Sequence, residues 1–268
     1  MEGIHILDSA TKLGPQVRGA VAVCGSHGGL YPAWCAARAG LRAVVLNDAG
    51  IGRNSAGVSG VAWLDGLGIP ACAIDYRSAR IGDGTDMLDH GVVSTANAAA
   101  ARHGCQPGQT CRQVLESLAR HAYPRGGEGV PSIGEARSRI ASTGHRAVWA
   151  LDSMALAQDS DARAVLVTGS HGALLGGRSD QMMAVDAYAA FFNDAGGGKD
   201  GAGYTRLRTL DARGMAAATV SCDSARIGDG RSTYETGVLS RVNEAAHRLE
   251  LREGMTCREA VARLVGLA

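Results

Sequence analysis

The sequence predicts an α/β protein of two tandem pseudo-repeats. Each repeat reads as a mostly parallel sheet flanked by helices in three layers, in the manner of Rossmann-like and flavodoxin-like folds. Three observations carry this reading. The heptapeptide Ser-Ala-Arg-Ile-Gly-Asp-Gly occurs at 78–84 and again at 224–230. Short apolar runs alternate with stretches of helical period. In both copies those runs end in the same polar residues.

The two heptapeptides lie 146 residues apart, and the same offset relates Asn47-Asp48-Ala49-Gly50 to Asn193-Asp194-Ala195-Gly196 and Thr110-Cys111-Arg112 to Thr256-Cys257-Arg258. Gly25-Ser26-His27-Gly28 matches Gly169-Ser170-His171-Gly172 at an offset of 144, as Leu7-Asp8-Ser9 matches Leu151-Asp152-Ser153. The second copy is therefore two residues longer past its Gly-Ser-His motif. The boundaries that follow are a first α/β repeat at 1–120, a Gly-, Pro-, Ser- and Arg-rich linker at 121–144, and a second α/β repeat at 145–268.

Within each copy the elements follow in order. A short strand, 5–7 or 148–151, precedes Asp8 or Asp152. The apolar runs 20–23 and 164–167 read as buried strands, each followed by a Gly-Ser-His turn and a helix. The second strand is 43–46 or 189–192, followed by a Gly-rich turn and another helix. The third is 69–74 or 215–220 and leads into the heptapeptide. Beyond it Val238, Leu239, Val242, Ala245, Ala246 and Leu249 recur at helical spacing, which predicts one amphipathic helix. Thr110-x-x-Gln113 and Thr256-x-x-Glu259 are capping boxes that open a final helix.

Composition narrows the function classes. A formal net charge of +1 argues against a nucleic-acid or membrane-surface partner. No stretch has the roughly 20 consecutive apolar residues that a span needs, and the N-terminal residues carry no signal-peptide pattern. Seven cysteines, an odd number without a Cys-x-x-Cys pair, fit reduced thiols in a cytoplasmic protein without a structural zinc site.

Parallel strands point the same way, so their polar ends gather at one carboxyl edge, where open α/β sheets bind ligands. Ser26 and His27, with Ser170 and His171, put a hydroxyl and an imidazole at a strand end. Ser could serve as nucleophile or water-positioner and His as acid or base, although the spacing is not that of a nucleophile elbow. Asp48 and Asp194 are candidate orienters or bases beside Asn47 and Asn193, in Gly-rich turns that fit neither a P-loop nor a dinucleotide fingerprint. An Asx-turn role explains them equally well. In the heptapeptides Arg80 and Arg226 have the planar fork to hold a carboxylate, Asp83 and Asp229 supply a second carboxylate, and Ser78 and Ser224 supply a hydroxyl. The alternative for this motif is an Arg–Asp lock. Cys111 and Cys257 fall within the final helix and read as packing.

The resulting expectation is a small-molecule enzyme on an anionic substrate, first a hydrolase of an amide or ester-type bond. A lyase or isomerase with the same acid–base groups stands beside it. A non-catalytic anion-binding protein is a further alternative, as is a divalent-metal enzyme using His27, Asp48 and Asp83. No organic cofactor and no membrane partner is expected, and a homo-oligomer remains open.

Overall fold

The structure, a computed structural model, describes residues 3–120, 129–140, 146–178, 183 and 185–266. It contains two mostly parallel sheets, of five and six strands, flanked by helices. In the first copy β1 (Ile4–Leu7), β2 (Val21–His27), β3 (Ala43–Asn47) and β4 (Ala71–Ile74) run parallel, and β5 (Val93–Ala96) closes the edge antiparallel to β4. The strand order is sequential, so the sheet has no switch point of the kind seen in doubly wound folds. In the second copy β6 (Arg137–Ile140) and β7 (Val148–Leu151) are antiparallel; β7, β8 (Val165–His171), β9 (Ala189–Asn193) and β10 (Ala216–Val220) are parallel; and β11 (Leu239–Val242) is antiparallel to β10. β6 lies within the stretch read as linker, whose residues 121–128 and 141–144 fall outside those described.

Period-two alternation sorts the strand residues onto two faces. Ala22, Cys24, Val44, Leu46, Ala71 and Ala73 pack under α1 (Leu30–Arg38) and α2 (Ser59–Gly66). Val21, Val23, Val45, Cys72 and Ile74 pack under α3 (Gly84–His90) and α5 (Cys111–Arg120), with α4 (Ala98–Ala101) at the β5 end. The second copy repeats this with α6 (Thr205–Ala212) on one face and α7 (Gly230–Thr236), α8 (Glu244–Arg248) and α9 (Cys257–Leu264) on the other. Cys111 and Cys257 are buried inside these faces. Among the described residues no helix is long and apolar enough to cross a membrane.

Three sequence expectations change. Gly-Ser-His is the end of strands β2 and β8, not a turn beyond them, and its pairing with the next strand slips between Val23 and His27 and between Val167 and His171. The helix expected through Val238–Leu249 is instead strand β11 followed by α8. Gly237 ends α7 in extended backbone, with φ −62° and ψ 135° and its amide donating to the Thr233 carbonyl, and from there the chain pairs with β10. Finally, no described residue between β8 and β9 is helical, whereas the first copy has α1 at that point.

The copies meet through their carboxyl edges with reciprocal contacts. The Arg53 amide donates to the Cys222 carbonyl at 2.8 Å, and Lys199, its equivalent, donates to the Tyr76 carbonyl at 2.9 Å. A Cβ on Gly50 would sit 3.1 Å from the Gly196 Cα, two equivalent positions touching. Ala49, Ala56 and Ile81 of one copy and Ala173, Ala195, Ala202 and Ile227 of the other form a small shared core. Contacts in which i meets j and its equivalents meet in reverse define a pseudo-twofold relation.

Candidate functional site

A cavity of about 460 Å³ lies on this seam, lined by Ser26 and His27 of the first copy and Ser170 and His171 of the second. The approach is set by glycine. Gly25 packs so closely on the heptapeptide that a Cβ would stand 2.7 Å from the Gly82 carbonyl carbon, and Gly169 repeats this at 2.5 Å from Gly228. Gly82 and Gly228 turn with φ of +83° and +80°, a region that favours glycine. Each then meets the other copy's imidazole: a Cβ on Gly228 would lie 3.2 Å from His27 Cε1, and one on Gly82 3.4 Å from His171 Cε1.

Backbone amides fix both imidazoles. The Gly29 amide donates to His27 Nδ1 at 3.1 Å, and the Ala173 amide donates to His171 Nδ1 at 3.3 Å. An Nδ1 that accepts leaves the proton on Nε2, so both rings are neutral Nε2–H donors. Burial holds His27 down to about 4; burial, with Arg206 and His27 adding to it, holds His171 down to about 3. The Ser26 hydroxyl accepts from the Ala10 amide at 2.9 Å and Ser170 from the Met154 amide at 2.8 Å, leaving each hydroxyl proton free to donate into the cavity. A nucleophilic serine needs an adjacent base. Locked as Nε2–H donors, these imidazoles supply hydrogen-bond donors for an oxyanion instead.

The other expected residues stand elsewhere. Asp48 and Asp194 are buried, and their Oδ1 atoms accept from the Gly50 and Tyr76 amides and from the Gly196 and Cys222 amides, which is the Asx-turn role. Burial raises both carboxyls. Asn47 and Asn193 bridge their own loop to the carbonyls of Ala79 and Ala225. Ser78 and Ser224 tie the turn before the heptapeptide to the amides of Val92 and Val238. Asp83 and Asp229 cap α3 and α7 by accepting from the Asp86 and Ser232 amides. Arg80 and Arg226 are not buried: Arg80 pairs with Asp86 and Asp200, and Arg226 with Asp229, all outside the cavity lining. Among the described residues no three of His, Cys, Asp and Glu gather as metal ligands, so His27, Asp48 and Asp83 do not meet around one point.

Residues not singled out by sequence complete the cavity. Arg206, near the start of α6, is 5% exposed. One terminal nitrogen donates to the Ala173 carbonyl at 3.1 Å, the guanidinium lies 4.9 Å from the Phe192 ring centroid, and Nε has no partner. No carboxylate faces it among the described residues, and burial holds its pKa down to about 10. Its equivalent is Gly60, as the shared amide bonds show: Gly60 donates to the Gly28 carbonyl and Arg206 to the Gly172 carbonyl, both at 2.9 Å. A Cβ at Gly60 would come within 2.2 Å of the Gly29 carbonyl because α1 packs there. Arg206 thus stands where the first copy has a glycine packed beneath α1. Glu135, from the chain entering β6, also lines the cavity and is raised to about 7, chiefly by burial and further by Asp152, with Tyr31 and Ser153 within hydrogen-bonding reach. Two signals in the sequence pointed here. Arg206 falls one turn before Leu210 on the buried side of α6, and it replaces a glycine of the first copy. Glu135 had no signal beyond being an acid in the linker.

Comparison of the chain with protein-family models, with curated proteins and with solved structures finds no match.

Proposed function

We propose that the chain is an acid–base enzyme, a lyase or isomerase, that acts beside the carbonyl or carboxylate of a small anionic substrate held on the seam. The observation that carries this is Arg206: a buried guanidinium with no counter-ion among the described residues, on the wall of a cavity that also presents two neutral imidazoles. An unpaired buried charge costs several kcal/mol, and an anionic ligand would offset it. His27 and His171 donate from Nε2 to the oxygen on which charge develops, which is where fixed donors accelerate a reaction most. Glu135, raised to about 7, takes up and returns the proton near neutral pH. Hydrolysis of an amide or ester-type bond is the second reading, with Glu135 activating water in place of a serine nucleophile; the same oxyanion donors favour it. Both halves of the site come from one chain, so an oligomer is not required to complete it. Seven free thiols suit a reduced, cytoplasmic setting.

The test is proton NMR of a panel of small carboxylic, keto and hydroxy acids, amides and esters, incubated with the protein in deuterated water. Deuterium entering beside a carbonyl supports the lyase or isomerase. Cleavage without exchange supports the hydrolase, and binding without either makes this an anion-binding protein. If no anion in the panel binds in a way that Arg206→Met abolishes, the site reading itself fails.

A further inference from the structure

Resting on that reading, the geometry points to a zwitterionic substrate of the amino-acid class, lying across the cavity with its carboxylate on Arg206 and its ammonium group beside Asp152 and Glu135.

The cavity has two poles of opposite charge that do not neutralise each other. At one pole Arg206 has no acidic partner among the described residues, and its Nε has no hydrogen bond. At the other end two carboxylates line the wall, Asp152 and Glu135. Asp152 Oδ1 accepts from the Gly230 amide at 3.1 Å and Oδ2 from the Ala136 amide at 2.7 Å, which leaves a second acceptor site on each oxygen. No Lys, Arg or His pairs with either acid among the described residues; Asp152 is instead a like-charged neighbour of Glu135, and Asp229 of Asp152. The poles sit on different elements: Arg206, on α6, is held at the Ala173 carbonyl, whereas Asp152, just beyond β7, is held by the Gly230 and Ala136 amides.

A simple anion would satisfy Arg206 and leave two adjacent acids uncompensated. A dicarboxylate would put a third negative charge at that end. A zwitterion neutralises both poles at once. The first copy supports the assignment by contrast. Its equivalent acid, Asp8, does not line the cavity, and Gly60 stands where Arg206 would be. Both charged poles are thus built from residues outside the first repeat, and Asp152 is free to hold the ammonium group while Glu135 exchanges the proton.

The experiment is calorimetric titration of the intact chain with chain-matched ligands. These are α-amino acids and ω-amino acids of two to five carbons, the same acids lacking the amine, and the dicarboxylates of equal length. At least one amino acid should bind about tenfold or more tightly than its deaminated mate, the factor expected of a charge-assisted hydrogen bond. Asp152→Asn should remove that preference, Arg206→Met should remove binding, and Glu135→Gln gives an independent check if Asp152→Asn melts early. Deaminated acids that bind equally well, with Arg206 still required, would overturn the zwitterion and keep the anion site. A preference for dicarboxylates would overturn it as well. No Arg206-dependent binding of any acid would overturn both.

Discussion

The two copies differ most at the helix that follows the Gly-Ser-His strand. In the first copy α1 packs on α2, and Gly60 is pressed against the Gly29 carbonyl. In the second, no described residue between β8 and β9 is helical, and Arg206 lies over Phe192 on that side. Everything that positions the imidazoles is kept in both copies: the Gly25 and Gly169 contacts, the amide bonds to Nδ1, the hydroxyl bonds to Ala10 and Met154. Matched residues hold the frame, and the unmatched ones are those to which the proposed function assigns selectivity.

The largest effects should be equal in the two copies. Gly57 and Gly203 are equivalent, and a Cβ would lie 2.0 Å from the Asp48 carbonyl oxygen in one and 1.8 Å from that of Asp194 in the other. Backbone cannot yield as a flexible side chain can, so Gly57→Ala and Gly203→Ala should each cost about 3 kcal/mol or more in denaturant melts. A tolerated substitution in one copy alone would break the equivalence.

Acid stability should sharpen it. An unfolded histidine takes its proton near 6.5, whereas folded His27 and His171 resist until about 4 and about 3. Between those values the unfolded chain binds more protons, so their contribution is complete above 6.5 and shrinks as pH falls. Glu135 has the opposite sign: raised to about 7 from 4.5, it favours the folded state fully below 4.5 and loses that contribution as pH rises through about 7. His27→Gln and His171→Gln should both flatten the acid limb of a stability–pH curve, the second over the wider range. Glu135→Gln should flatten the fall in stability between about 4.5 and about 7.

Arg206→Met should act in the second copy alone. Replacing a buried unpaired charge by an apolar chain of similar length is expected to stabilise the empty protein by about 1–3 kcal/mol while removing anion binding. A lower melting temperature would mean that the guanidinium already has a structural partner.

The smallest effect concerns Asp86, which pairs with Arg80 and Lys199 across the seam where the second copy has Ser232. Asp86→Ser should cost about 1 kcal/mol, less at high salt because Arg80 is half-exposed.

Much of this fold was legible from residues 78–84 and 224–230 alone, because their identity reflects several constraints acting together. Ala79 and Ala225 are fully buried, Ile81 and Ile227 pack across the seam, Gly82 and Gly228 face the opposite imidazole, and Asp83 and Asp229 cap helices. The same density of identity drew attention to Arg80 and Arg226, which turned out to lie in surface ion pairs. Repetition marks what both copies need, and so it pointed to Ser26, His27, Ser170 and His171, which line the cavity. It could not point to Arg206, whose equivalent is Gly60, or to Glu135, which lies outside both repeats. The stretch after Gly237 misled for a local reason: Val238, Leu239 and Val242 fit a helical stripe and a strand edge alike, and the pairing with β10 that follows the extended Gly237 is not visible in their spacing.

Covalent fusion gives this seam a freedom that two identical subunits would lack. In a symmetric homodimer every substitution appears twice, so an arginine beside the axis would face its own copy across the same cavity. A ligand between identical halves could also lie in either of two directions with equal energy. Because Arg206 is opposed by Gly60, the degeneracy is lifted. The cavity has a head and a tail, and a substrate of the proposed kind would have one orientation in which its charge is met.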